Sequence, residues 1–326
     1  MLAETLQVSR RALRPTLAEL QREGTIRAAQ GMGNRIVRRD PRTRDRLCSR
    51  DVGILASVPL GRLRPNQTLW IDELRTMLGG RGCQLHYVQG TQYNCSRPSP
   101  ALAKLLSQHP YGCWILLLAN HAWQRWFAEQ KVPCVVAGSC HDGTDLPSCD
   151  LDHRATCRHA VGRLLAAGHR RLALVSHRNP LAGGIESETG FLEGARQSHH
   201  AEINATLCHH DATAAGITRA LQRLMAPAER PTALLVPNPH CCLAVVSGLA
   251  QLGWRVPEQV SVISRDDDPF LEFLVPEVSR YVVSPRVFAR SLLPQVVEVL
   301  QRGAISSKQA VRLMPQFVRG ASIAPP

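Results

Sequence analysis

From Val52 to Ser264 short apolar runs alternate with amphipathic stretches, and this alternation restricts the fold more than any other feature of the chain. Val52–Ser57, Gln84–Val88, Cys113–Leu118 and Cys134–Ala137 read as strands, with helical stretches Gln67–Leu78, Pro100–Gln108 and His121–Gln130 between them. A second series follows, with strands Arg171–Ser176, Glu202–Cys208, Thr232–Val236 and Val260–Ser264. Its helices are Arg154–Ala167, Glu188–Gln197, Thr213–Met225 and Cys241–Leu252. A parallel strand is reached only through a crossover, usually a helix. Strand–helix alternation of this length therefore predicts parallel sheets covered by helices on both faces. Two successive series predict two such lobes.

The first 50 residues are built differently. Leu2-Ala3-Glu4-Thr5-Leu6 opens a short helix that ends near Val8. Ser9 is placed to cap a second helix, because its hydroxyl can accept from a free backbone N–H in the first turn. Leu13, Leu17 and Leu20 then form one helical stripe, and Gly24 ends it. Thr25–Gln30 and Arg35–Val37 read as strands joined by Gly31-Met32-Gly33-Asn34. Helix, turn, helix, hairpin is the order of a winged helix-turn-helix. Charge agrees with pattern. These 50 residues hold 12 arginines and five acidic residues, a net of +7, against +6 spread over all the rest. Concentrated positive charge is the footprint of a polyanion binder. Arg10 and Arg14 share a face opposite the leucines, with Arg11 alongside. A guanidinium pairs bidentately with guanine edges or phosphate, so Ser9, Arg10, Arg11 and Arg14 are the candidates for the major groove. Arg27, Gln30 and Arg35 on the hairpin are candidates for phosphate or the minor groove. Pro15 falls inside the second helix, where a missing N–H costs about 3 kcal/mol.

The longest apolar run, Cys113–Ala119, is strand-sized and falls well short of the roughly 20 residues of a membrane helix. The chain is polar from Glu4 onward and shows no signal sequence, so a cytoplasmic protein without membrane partners is expected, with its eleven cysteines as reduced thiols.

Leu2 to Val37 resembles the gluconate-repressor (GntR-type) winged helix. The likeness rests on Leu2-Ala3-Glu4, Val8-Ser9-Arg10, Leu13-Arg14, Leu17, Leu20, Glu23-Gly24 and Gln30-Gly31-Met32-Gly33. Residues 51–326 resemble the effector domain of the lactose/galactose-repressor (LacI/GalR) family, which has the periplasmic-binding-protein fold. Gly168-His169-Arg170-Arg171, Gly190-Phe191-Leu192-Glu193-Gly194-Ala195, Pro231–Asn238 and Gly253–Ile263 carry that likeness, in the family's order and spacing. Together the two parts resemble an arabinose-repressor-like architecture. The resemblance implies an α/β, two-lobed, periplasmic-binding-protein-like domain of doubly wound parallel sheets, preceded by a truncated winged helix-turn-helix. It implies a DNA-binding domain over 1–38, a linker over 39–50 and an effector-binding domain over 51–326. The first lobe takes about 51–150 and the helix 285–302; the second takes about 151–280 and a last strand, 311–318. It also implies that the head is incomplete, because such heads begin with a long helix before the Leu-Ala-Glu element, and here Met1 adjoins it. Either the natural start lies upstream or the head is loosely folded.

Three departures bear on the ligand. Sugar-binding members often carry an arginine three residues before the Gly-Phe pair, where this chain has Ser187. The family's Asn-Asp pair is Asn238-Pro239, and its aromatic-Asp-Asp string is Arg265-Asp266-Asp267. Asn238 and Asp266 remain as hydroxyl-binding candidates, with Ser57 as a third. The missing arginine predicts weak binding of ordinary monosaccharides. Asp267 and Asp268 read as a solvated loop.

No catalytic, metal or cofactor residues are expected. Cys140-His141-Asp142, His199-His200 and Cys208-His209-His210-Asp211 lack the paired ligand spacing of a common zinc site. No Gly-x-Ser-x-Gly elbow or phosphate-binding Walker loop occurs. The sequence therefore predicts a ligand-responsive repressor or activator, a repressor by preference, that binds double-stranded operator DNA as a homodimer and takes a small polar, sugar-like effector. The alternative is a ligand sensor with a degenerate DNA-binding head. An enzyme on this scaffold would need convergent acid, base and nucleophile groups, and the sequence offers no such set.

Overall fold

The computed structural model describes residues 26–29, 33–36, 49–93, 99–178, 181–198, 202–305 and 309–326. The two expected N-terminal helices, and with them Ser9, Arg10, Arg11, Arg14, Pro15 and Gln30, lie outside the described residues. The expected hairpin is present as β1 (Ile26–Ala29) and β2 (Gly33–Ile36), antiparallel, with Ile26 opposite Ile36 and Arg27 opposite Arg35. The second strand begins at Gly33, two residues before the sequence pattern places it. The chain divides into two compact units between Leu47 and Cys48, and the larger unit, Cys48–Pro326, holds both lobes.

In chain order the elements of this unit open with β3 (Ser49–Ala56), α1 (Pro65–Gly79), β4 (Leu85–Gln89), α2 (Ser99–Gln108), β5 (Tyr111–Leu117), α3 (His121–Glu129), β6 (Cys134–Ala137) and β7 (Ser148–Leu151). Then come α4 (His153–Ala166), β8 (Arg171–His177), α5 (Ala182–Arg196), β9 (Asn204–His210), α6 (Ala214–Met225), β10 (Ala233–Val236), α7 (Pro239–Gln251), β11 (Ser261–Ser264) and β12 (Ser279–Val282). The series closes with α8 (Pro285–Arg302), β13 (Ala310–Leu313) and β14 (Gln316–Val318).

Two six-stranded sheets result. The first lobe has the order β13-β7-β6-β5-β3-β4, with every neighbouring pair parallel. The second has the order β14-β12-β11-β10-β8-β9, parallel except for β14 against β12. Successive residues of a strand face opposite sides of its sheet. In β3, Val52 and Ile54 join the cluster under α1 and α8, while Leu55 joins the cluster under α2 and α3. Both faces are therefore covered, which is why the strand is a continuous apolar run rather than an alternating one.

In the second lobe α4 and α5 cover one face and α6 and α7 the other. Two devices position these helices. Asp152 caps α4 by accepting from the Ala155 N–H at 2.8 Å, and Thr213 caps α6 by accepting from the Gly216 N–H at 2.9 Å. Gly190 lets α5 lie directly on α4, since a Cβ there would come within 2.2 Å of the Arg154 carbonyl oxygen. His169, after the turn at Gly168 (φ +101°), is buried with Nδ1 2.9 Å from Thr232 Oγ1 and Nε2 3.0 Å from Ser261 Oγ. It ties the residue before β10 and the first residue of β11 to the start of β8.

Several expectations need correction. Residues 311–318 do not form one second-lobe strand. β13 pairs with β7 in the first lobe, and only β14 reaches the second lobe, beside β12. The chain thus passes between lobes at 151–153, 282–285 and 313–316. The helix expected from Glu188 begins six residues earlier, at Ala182. Gly183 and Gly184 look like breakers, but Gly183 is needed within the helix because a Cβ would lie 2.6 Å from the His153 ring. Strands β7 and β12 are short and polar, with Asp150 in one and Arg280 in the other, and carry no apolar signature.

Among the described residues the cysteines are free thiols, no group of residues could hold a metal ion, and no helix is long and apolar enough to cross a membrane.

Candidate functional site

A cavity of about 670 Å³ lies between the lobes. Its walls come from the carboxyl ends of the strands: Ser57 follows β3, Leu118 follows β5, Gly138 follows β6, His177 ends β8, His210 ends β9, Asn238 follows β10 and Arg265-Asp266 follow β11. This is where doubly wound sheets leave room for a ligand, because the helices begin beyond the strand ends.

The second-lobe wall is built on buried charge. Arg265 and Asp266 are 7% and 4% exposed. The Arg265 guanidinium grips Asp266 as a fork, with Nε donating to Oδ1 at 2.8 Å and Nη2 to Oδ2 at 2.7 Å. Its Nη1 donates to the Ser187 hydroxyl and to the Gly183 carbonyl oxygen, the latter at 3.4 Å. Burial alone would raise the Asp266 carboxyl. The charges of Arg265 and Arg64 outweigh it and hold the group well below the usual carboxylate range. Beside this pair Arg280, 4% exposed, binds Asp267, Glu272 and Glu277 at 2.7–2.8 Å. Burial raises the Asp267 carboxyl despite Arg280. Asp268 is 1% exposed, and burial raises it too. The solvated loop expected at Asp267 and Asp268 is therefore interior: Asp267 belongs to an ion cluster made possible by Arg280 in a distant strand, while both carboxylate oxygens of Asp268 are buried without a hydrogen-bond partner among the described residues.

The first-lobe wall centres on the start of α1. Arg64 precedes the helix, and Pro65 at its first position has no N–H to leave unsatisfied. Arg64 reaches across the cavity, and its Nη1 donates to Asp266 Oδ2 at 2.7 Å. Arg62, Gln67 and Trp70 line the same wall. Lower down, Asp150 Oδ2 accepts from Ser139 Oγ at 2.7 Å and lies 3.1 Å from His153 Nε2. Burial would raise Asp150, but His153 and these hydrogen bonds hold it low.

Ser57, Asn238 and Asp266 all line the cavity. Each is already engaged within the chain. The Ser57 hydroxyl donates to the Leu118 carbonyl at 3.0 Å. Asn238 caps α7, its Oδ1 accepting from the His240 N–H at 2.9 Å. Both Asp266 oxygens hold arginines, so the expectation of a carboxylate open to ligand hydroxyls needs correction. Sequence reasoning missed Arg64 and Arg265. Arg265 is visible as the departure in its own string, but the contact that explains it, with Ser187 78 positions earlier, is a matter of folding. Arg64 sits in a stretch without motif. On the hairpin, Arg27 and Arg35 are register partners across the strand pair, and the other residues assigned to DNA lie outside the described residues.

A family model described as a periplasmic binding protein-like domain matches residues 161–323. The chain is 25% identical over 155 residues to the HTH-type transcriptional regulator AscG of Escherichia coli (strain K12), which spans 48% of this chain and 46% of that protein. It is 23% identical over 280 residues to the arabinose metabolism transcriptional repressor of Geobacillus stearothermophilus, covering 82% of this chain and 75% of that one. With AscG the chain thus shares about half of that relative's length. In fold it is similar to a LacI family transcriptional regulator from Enterococcus faecium with bound ribose, at a TM-score of 0.69 and 17% identity, covering 85% of this chain and 99% of the other.

Proposed function

The chain belongs to the periplasmic binding protein-like domain family, and from that premise we propose that it is a DNA-binding transcriptional regulator, a repressor, controlled by a small polar effector held between its two lobes. The observation that carries this reading is the interlobe cavity with Arg64 of one lobe bonded to Asp266 of the other. A ligand there changes the contacts that hold the lobes together, and it biases the protein only through different affinity for different lobe arrangements. The names of the relatives, which are transcriptional regulators and repressors, support a regulator rather than an enzyme.

In this reading the N-terminal segment is a GntR-type winged helix. Ser9, Arg10, Arg11 and Arg14 meet the major groove, and Arg27, Gln30 and Arg35 meet phosphate or the minor groove. Two copies act as a homodimer in the cytoplasm, because two heads at fixed spacing are what read a two-part operator.

The test is electrophoretic retention of double-stranded fragments from upstream of the chain's own gene and its neighbours. Retention is expected to fall steeply with salt, as counterions are displaced. Arg14→Ala is expected to weaken it far more than Arg50→Ala. Equal effects of the two changes would remove the recognition-helix assignment, and no retention at all would leave a ligand sensor without a working head.

A further inference from the structure

The polar groups on the cavity wall divide unevenly. Most of its buried acceptors are engaged. Asp266 gives both oxygens to the Arg265 fork. Asp267 accepts from Arg280 Nε at 2.8 Å. Asp150 takes the Ser139 hydroxyl on one oxygen and the Leu151 N–H on the other. Asn238 Oδ1 is used up on the helix cap, and Gln67 Oε1 accepts from the Arg64 N–H at 3.0 Å.

Donors remain. A guanidinium carries five N–H groups. Arg265 spends its own on Asp266, Ser187 and Gly183. Arg64 commits only Nη1, and to a carboxylate oxygen that Arg265 already holds. The Arg62 guanidinium, exposed two residues earlier on the same wall, makes no hydrogen bond or ion pair among the described residues. The Asn238 amide nitrogen is free once its oxygen caps α7. His153 is 7% exposed, and with Nε2 turned to Asp150 its Nδ1 has no partner.

A ligand for this wall must bring acceptors and negative charge. A neutral polyol would leave Arg62 without a counter-charge and Arg64 sharing Asp266 with Arg265. An amine would have to displace Arg265 from Asp266 and then lie beside Arg62 and Arg64. An anion asks for neither. It takes Arg64 from Asp266, and Asp266 keeps its fork, so no buried charge is stranded. Resting on the reading of this cavity as the effector site, we propose that its ligand is a small organic anion bearing hydroxyl groups, a sugar acid or a sugar phosphate ester, whose anionic group is held by Arg64 with Arg62 beside it. The guanidinium fork suits the geometry of carboxylate and phosphate alike.

The experiment is calorimetric titration of the full chain with D-gluconate, D-glucuronate, ribose-5-phosphate and glucose-6-phosphate, against neutral ribose and glucose. At least one anion is expected to bind at least roughly 10-fold more tightly than either neutral sugar, since charge-assisted bonds exceed neutral ones. Binding by the sugar acids alone identifies a carboxylate ligand; binding by the esters alone identifies a phosphate. Arg64→Gln is expected to weaken the anion roughly 10- to 100-fold, with partial recovery in Arg64→Lys. Neutral sugars binding as tightly as the anions, no binding of any anion, or an anion affinity untouched by Arg64→Gln would each overturn the proposal. DNA retention, measured on the same preparations, keeps the two readings separate. Arg64-dependent anion binding without DNA retention upholds this inference and removes the regulator. DNA released by glucose or ribose but by no anion does the reverse.

Discussion

The first lobe keeps four of the chain's five tryptophans in its interior, Trp70, Trp114, Trp123 and Trp126, whereas the second has only Trp254, half-buried under the Arg230 guanidinium at 4.3 Å. The second lobe instead buries charge. Arg265, Asp266 and Arg280 are each less than 8% exposed and paired with opposite charge, and among the described residues the first lobe buries no aspartate, glutamate, lysine or arginine to that degree. The two sheets share one plan, so the difference comes from what each lobe presents to the cavity. An apolar interior is non-directional and accommodates small changes at modest cost. A buried ion cluster holds only while every member is matched, and it fixes the position of each group that reaches the wall. The second lobe is therefore the rigid jaw of the site, while the first contributes a cation that is free to change partners.

The sharpest way to break this comparison is Asp266→Asn. The change is isosteric, yet it leaves the Arg265 and Arg64 guanidinium groups facing one another without a carboxylate. Removing one member of a buried pair costs about 3–5 kcal/mol. Urea unfolding is expected to show that loss, and a cost below 1 kcal/mol would mean that the cluster is not matched as described.

Acid should next find the second lobe. Burial lowers the pKa of His169, and burial followed by the nearby His177 lowers that of His210. A base whose folded pKa lies below its unfolded value favours the folded state only while neutral. Its contribution is whole above about pH 6.5 and is lost as pH falls toward the folded pKa. Stability is expected to be level from about pH 8 to about pH 7 and to fall below that. His169→Gln, which can still reach Thr232 or Ser261, should start lower and flatten the decline. An unchanged pH profile in that variant would take His169 out of the account.

In the first lobe the matching perturbation is Ile54→Val, which removes one methylene group from a fully buried strand residue. The expected loss is about 0.5–1.5 kcal/mol. A cost equal to that of Asp266→Asn would erase the contrast between the jaws.

Legibility in the sequence divides along the same line. The strands that were legible, such as β3, β5 and β10, are buried on both faces and therefore announce themselves as apolar runs. β7 and β12 were not, because Asp150 and Arg280 occupy strand positions that only distant partners make tolerable. The cavity's place at the strand ends follows from the doubly wound sheets that the resemblance implied. Its chemistry did not. Asp266 could be picked out by its position after β11, but whether its carboxylate faces a ligand or a guanidinium depends on Arg64, 202 residues away. The chain's last segment misled for a related reason. The resemblance implied one strand over 311–318, and only the pairing shows β13 and β14 in different lobes.

The smallest effect tests the mobile side of the comparison. The Arg64 side chain is 25% exposed, so its bond to Asp266 is screened by water and strengthens the fold little, by about 0–1 kcal/mol for a pair of this kind. Arg64→Met is expected to lower stability by no more than that, because Asp266 keeps both bonds from Arg265. The same change made in Asp266→Asn should behave differently. There Arg64 faces Arg265 with no carboxylate between them, and removing one of two like charges relieves repulsion. Arg64→Met is then expected to be neutral or stabilising in that background, so the two changes together cost less than their sum. Four unfolding curves, for the parent, both single variants and the double variant, measure the coupling directly. A coupling of zero would mean that Arg64 does not feel Asp266. A loss of 3 kcal/mol or more from Arg64→Met alone would make Arg64 part of the rigid jaw and unfit to exchange its partner for a ligand.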